Sequence, residues 1–250
     1  MLLTIDVGNT TTGGAIFSDG VIISKNKLLT PQEINVLFLK SLVKKDCRGS
    51  ISAVSISSVV PFVDDSIKRS VKELFGVEPY FIDYTTKTGI ELKIDKPEEM
   101  GADRIADYIG ALSISPPPFI VVDSGTATTF DIINRDSEYI GGSIFPGIEL
   151  SIKSLAQNTA KLGMIKFGIP ESIVGTNTEN SIKAGIYFNY IGGLTFMIKE
   201  YKKVVGSDAK VIATGGLTKY FEGKIPDIDL YEPDLIYLGL KKIYEIVKNQ

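Results

Sequence analysis

The chain has 250 residues with 24 Gly and 11 Pro, 44% hydrophobic and 23% charged residues, and a formal net charge of -3. These are the proportions of an ordinary globular protein of one large domain or two small ones. The near-neutral balance excludes nucleic acid as the main partner, no apolar run reaches the roughly 18 residues that span a bilayer, and the acid at position 6 comes too early for a signal peptide.

There is no histidine and a single cysteine, Cys47. A Ser-His-Asp triad, a His general base, an internal disulfide and a Cys- or His-based zinc site are therefore all absent. Proton transfer falls to Asp, Glu, Lys, Tyr or water. A bound metal would have oxygen ligands, which favours hard ions such as Mg²⁺ or K⁺. Cys47 reads as incidental, and the cysteine usage fits a reduced, cytoplasmic setting.

In chain order, Leu3 and Ile5 start a short strand that ends at Asp6. A turn of Val7, Gly8, Asn9 and Thr10 follows, and Thr11 to Ile16 return as a second strand, the pattern of a hairpin. The small, β-branched run 51–59 predicts a buried strand. Ile67, Val71, Leu74 and Phe75 have helical spacing over 64–75, and Tyr80-Phe81-Ile82 reads as a strand. Residues 98–112 predict a helix: Pro97 precedes it, Glu98 and Glu99 suit its first turn, and Ile105, Ile109 and Leu112 form its apolar stripe. Gly101-Ala102-Asp103-Arg104 lies early in that helix, where anions are favoured.

Pro116-Pro117-Pro118 then reads as a stiff connector between domains 1–115 and 119–250. Beyond it the opening pattern returns. A shift of 117 positions lays Asp6 on Asp123, Gly8 on Gly125, Thr11 on Thr128, Thr12 on Thr129 and Ile16 on Ile133. This internal repeat predicts a duplicated domain. Gly141-Gly142-x-Ile144-x-Pro146-Gly147 reads as a glycine turn, and as a turn at an interface. Ile148, Ile152, Leu155 and Thr159 line a helix, and 181–204 form another. Val211 to Ala213 make a strand ending in Thr214-Gly215-Gly216, and 234–248 a closing helix. Strands alternating with helices in both halves define an α/β class.

Each hairpin turn offers backbone N–H groups and hydroxyls to a phosphate, with an Asp at the strand end. Two such hairpins can clasp a polyphosphate across a cleft. Neither a GxxxxGK[ST] loop nor a strand-linked GxGxxG is present to do so otherwise. Asp103 could accept a proton from an alcohol, and Arg104 could bind an acidic substrate.

In this combination and order, Asp6-x-Gly8-Asn9-Thr10, Gly101-Ala102-Asp103-Arg104, Asp123-x-Gly125-Thr126-Ala127-Thr128-Thr129, the 141–147 motif and Thr214-Gly215-Gly216 resemble the type III pantothenate kinase family. The resemblance implies two duplicated ribonuclease-H-like domains of the actin-like ATPase / acetate and sugar kinase superfamily. It implies ATP-dependent phosphorylation of the pantothenate 4′-hydroxyl, the first step towards coenzyme A, by a cytoplasmic homodimer. It further implies ATP binding by Asp6, Val7, Gly8, Asn9, Thr10, Thr11, Thr12 and Gly13, with Thr126, Gly215 and Gly216. Pantothenate would meet Gly101, Ala102, Asp103 and Arg104, with Thr178, and Asp103 would be the catalytic proton acceptor. Mg²⁺ would accompany ATP near Asp6, and Asp123 would mark a monovalent-cation site for K⁺ or NH₄⁺. Two departures stand out. Ile94 takes a position where the family often has Tyr, and Gly13-Gly14 replaces a larger residue, which predicts a looser first loop. A non-catalytic nucleotide-binding relative and an enzyme acting on another small acid are the alternative readings.

Overall fold

A computed structural model describes residues 1–159 and 162–248. The elements in chain order are β1 (Leu2–Val7), β2 (Thr11–Ser18), β3 (Val21–Leu29), α1 (Val36–Leu42), β4 (Ala53–Ser58), α2 (Pro61–Phe75), β5 (Tyr80–Phe81), β6 (Glu91–Leu92) and α3 (Ala102–Ile114). There follow β7 (Phe119–Ser124), β8 (Ala127–Ile133), β9 (Glu138–Pro146), α4 (Ile148–Asn158), α5 (Thr178–Val205), β10 (Lys210–Thr214), β11 (Leu230–Tyr231) and α6 (Leu235–Lys248). No helix among the described residues is long and apolar enough to cross a membrane.

The chain divides into two compact units. The first comprises Met1–Ile90, Ile94–Ile114 and Asp234–Gln250, the second Glu91–Lys93 and Ser115–Pro233. This differs at two places from a split at the triple proline: α6 belongs to the first unit and the short β6 to the second. The reason for the first difference is close helix packing. A Cβ on Gly239 of α6 would overlap the Ala106 carbonyl of α3, and a Cβ on Gly110 of α3 would overlap the Leu235 carbonyl of α6. The paired glycines let the two backbones touch. Ser55 of β4 also donates to the Leu240 carbonyl at 3.2 Å.

The first sheet has the order β3-β2-β1-β4-β5, the second β11-β10-β7-β8-β9-β6. Read from the other edge and without β6, the second order repeats the first, with β7 to β11 in the places of β1 to β5. In each sheet the three leading strands are antiparallel, and the next two join them in parallel. Each sheet has its own core. Leu3, Ile5, Val7 and Ile16 meet Val54, Ile56, Val63 and Ile67 in the first. Ile120, Val122, Phe130 and Ile132 meet Ile148, Ile152, Leu194 and Ile198 in the second. Burial of side chains of this size is worth roughly 1.5–3 kcal/mol each, and this holds the hairpins against their helices.

The repeated hairpins differ by one residue. Val7 pairs with Thr12, leaving four residues in the first turn, whereas Ser124 pairs with Thr128, leaving three in the second. Past the turn the structural equivalents are therefore 116 apart: Thr12 matches Thr128, Gly13 matches Thr129 and Ile16 matches the core residue Ile132.

Two further expectations change. The helix over 98–112 begins only at Ala102, because Pro97–Glu99 form a separate 3₁₀ turn that puts Glu98 and Glu99 outside it. Gly141 and Gly142 are not in a turn but inside β9, with Gly141 at φ 111.

Candidate active site

The first Asp–Gly turn leaves the end of β1 and is closed by Gly8 N–H donating to the Thr11 carbonyl at 3.0 Å. Asn9 and Thr10 are exposed at its tip, while Asp6, Gly8 and Thr11 are half-buried. Val7, Thr12 and Gly13 face inward. Thr12 Oγ1 meets Thr30 Oγ1 at 3.0 Å, and Thr30 in turn donates to the Gly8 carbonyl at 2.6 Å. The Thr30 N–H also reaches the Thr10 carbonyl at 3.0 Å. Thr30 thus braces the whole turn from beyond β3, and no motif in the sequence marks it.

Gly13 and Gly14 do not loosen this loop. Both lie within β2 and both are covered: the Tyr237 hydroxyl stands where a Gly13 side chain would start, and Leu42 covers Gly14 with its Cδ2 2.9 Å from a Cβ built there. Tyr237 is buried. Burial, then the nearby charges of Asp6 and Asp234, push its phenol pKa well up, so it stays protonated.

Asp103 sits in the first turn of α3, which opens with Ile105 N–H donating to the Gly101 carbonyl at 3.2 Å. The Asp103 carboxylate bends back over Gly101, where a Cβ would overlap its Oδ1, and accepts the Arg104 N–H at 2.8 Å. That bond and the Arg104 charge favour the carboxylate, but burial outweighs them and raises the Asp103 pKa. A Gly101 Cβ would also lie 3.7 Å from Val59 Cγ1, and Val59 N–H donates to the Val7 carbonyl at 3.1 Å. The start of α3 is therefore linked to the end of β1 through Val59, which sets Gly101 and Asp103 on the side of the sheet where the first turn leaves β1.

In the second unit, Asp123 and the turn after it are held from three sides. Gly125 N–H donates to the Ala127 carbonyl, Gly147 N–H to the Thr126 carbonyl and Leu217 N–H to the Ser124 carbonyl, at 2.9–3.0 Å. Gly215, at φ 90, lies against Asp123 so closely that a Cβ would overlap Oδ1. Gly216 has open space around its Cβ position, and Thr126 is exposed at the tip. Behind the hairpin, Thr128 Oγ1 meets the Tyr190 hydroxyl at 2.7 Å. Tyr190 also lines a cavity of about 790 Å³ within this unit, together with Thr178, Ser181, Asn189 and Phe145. Thr178 is the first residue of α5, set by the Asn177 side chain, which accepts the Asn180 N–H at 2.9 Å.

Among the described residues no group of three or more His, Cys, Asp or Glu could cage a metal. Asp6 and Asp123, each beside a turn of hydroxyls and carbonyls, fit instead a hard ion that shares its oxygen ligands with a bound phosphate.

A doubled ribonuclease-H-like scaffold with an Asp–Gly turn in each half defines a member of the actin-like ATPase and sugar-kinase class. Solved structures bear out that fold. A ROK hexokinase from Thermus thermophilus matches with a TM-score of 0.51 at 12% identity, covering 100% of this chain and 99% of that one. MreB 5 of Spiroplasma citri, bound to AMPPNP, matches at 0.52 and 11%, covering 99% and 97%. Within that class the sequence is decisive. The family model for type III pantothenate kinase matches residues 2–200. Relatives of that description are 39% identical in Caulobacter vibrioides, over 98% of this chain and 97% of the relative, and 38% identical in Halalkalibacterium halodurans, over 98% and 99%. The chain belongs to the type III pantothenate kinase family, and pantothenate phosphorylation on the route to coenzyme A is its activity.

Proposed function

We propose that Asp103 carries the chemistry of this kinase, orienting the 4′-hydroxyl of pantothenate and accepting its proton as the γ-phosphoryl group of ATP is transferred. The observation that supports this is the placement of Asp103: a half-buried carboxylate at the start of α3, beside the end of β1 and its turn. Phosphoryl transfer asks mainly for alignment and charge stabilisation, because its loose transition state barely activates the nucleophile. A carboxylate that takes the proton late is sufficient, and histidine is not needed.

Asp6, Gly8, Asn9, Thr10 and Thr11 would meet the ATP phosphates, with Val7, Thr12 and Gly13 shaping the turn from within. Thr126, Gly215 and Gly216 would also contact the nucleotide. Gly101, Ala102 and Arg104 would hold pantothenate, the guanidinium suiting its carboxylate, and Thr178 would also contact it. A divalent ion, Mg²⁺ near Asp6, would neutralise phosphate charge when bound with ATP, and a monovalent cation, K⁺ or NH₄⁺, would lie at Asp123. The working form would be a homodimer in the cytoplasm.

Purified protein with Mg-ATP, K⁺ and pantothenate should release ADP in proportion to pantothenate. Asp103→Asn should lower kcat by roughly 10²–10⁴-fold while ATP binding is kept. ADP release that ignores pantothenate, or a fully active Asp103→Asn, would overturn the reading.

A further inference from the structure

The two Asp-bearing hairpins differ in the residue that stands opposite the acid. In the second hairpin Asp123 is paired across the ladder with Thr129. Cross-strand partners share a sheet face, with Cβ atoms about 4.5–5.5 Å apart, so Thr129 shares the face of Asp123, although its hydroxyl donates to Asp131 Oδ2 at 3.4 Å. In the first hairpin the place opposite Asp6 belongs to Gly13, which has no side chain. There a hydroxyl arrives from α6. A Cβ on Gly13 would overlap Tyr237 Oη and lie 3.3 Å from its Cζ. The Tyr237 ring is fixed against Ala15 and Phe17, which follow Gly13 on the same face of β2. On the other side of Asp6 its partner in β4 is Ser57, whose buried Oγ has no hydrogen-bond partner among the described residues. Asp6 is thus flanked by two hydroxyls on the face that α6 covers.

We propose that Tyr237 is a positioning residue of the first phosphate turn, its hydroxyl standing in for the missing side chain of residue 13 and donating to the Asp6 carboxylate, so that Asp6 is aimed at the bound phosphates. The step is one of binding and orientation, and no proton or bond changes hands. It makes Gly13 and Tyr237 a matched pair: the glycine is required because the tyrosine fills its space. The inference rests on the reading of residues 6–11 as the ATP phosphate turn.

Tyr237→Phe keeps the ring in its packing and removes only the hydroxyl, so its melting temperature should stay close to that of the parent. The test is ADP affinity by calorimetry, without turnover, alongside KM for ATP and for pantothenate. A hydrogen bond to a charged group is worth enough that KM for ATP should rise, and ADP affinity fall, about tenfold. KM for pantothenate should not move, a split that general loosening of the fold would not give. Gly13→Ala should weaken ADP binding further, and Tyr237→Phe added to Gly13→Ala should recover part of it by clearing the hydroxyl. Parental ADP affinity in Tyr237→Phe, with Asp6→Asn impaired, would overturn this inference alone. A double variant no better than Gly13→Ala would overturn the matched pair. Unchanged ADP affinity in Asp6→Asn would overturn the phosphate-turn reading, and this inference with it.

Discussion

At Asp103 burial prevails over a backbone hydrogen bond and an adjacent guanidinium, so the carboxyl holds its proton to a higher pH than the ordinary value of about 3.9. Two consequences follow from one shift. As the proposed proton acceptor Asp103 must be ionised, so the acid limb of kcat/KM for pantothenate should fall away above that ordinary value, and Asp103→Asn should lack the limb. For stability the sign is opposite. A carboxyl whose pKa is raised on folding favours the fold at low pH, and that contribution is lost as pH rises through the raised value. Above the raised value the ionised, half-buried Asp103 therefore costs stability, and there Asp103→Asn should melt higher than the parent. The gap should close as pH falls through the window between the raised and the ordinary values. Melting curves across the pH range check this; a variant that melts lower than the parent at the alkaline end would refute it.

Among the elements, the contact between α3 and α6 makes the sharpest demand. With the Ala106 carbonyl already inside the space of a Gly239 Cβ, any side chain at 239 forces the helices apart. Gly239→Val should destabilise the protein by about 3 kcal/mol or more, read from chemical denaturation. The strands β1, β2, β4, β7 and β10, the helices α2 to α6 and the Asp–Gly turns were legible because period and turn chemistry agree locally, as in the buried run of β4 and the Pro61 that opens α2, whereas β3 and α1 were not read. The register of the second hairpin was not. Thr10-Thr11-Thr12 and the doublets Thr128-Thr129 and Ile132-Ile133 look alike under shifts of 116 and 117, so only the ladder tells them apart. Gly141 and Gly142 misled for a related reason: glycine marks turns, yet here it permits an irregular strand. Thr30 and Tyr237, which shape the first turn, lie far from it in sequence and carry no local pattern. Their part depends on tertiary packing, and period and motif do not report that.

For the molecule as a whole, the second unit presents Ile144, Met164, Ile173, Val174 and Phe196 with more than half of each side chain exposed. So much exposed large apolar surface is what a subunit contact would bury. Light scattering should find a species of about twice the 27.2 kDa of one chain; a sample that stays at the mass of one chain at assay concentration would count against the dimer. The division of the chain has a consequence of its own. Since residues from Asp234 onward complete the unit to which residues 1–90 belong, an earlier-made segment waits on a later one. A ribosome must translate through α6 before the nascent first unit acquires that helix, and with it the tyrosine above Gly13. The later-encoded half, contiguous apart from Glu91–Lys93, has all its parts sooner, so the order of birth along this polypeptide is the reverse of the order of completion.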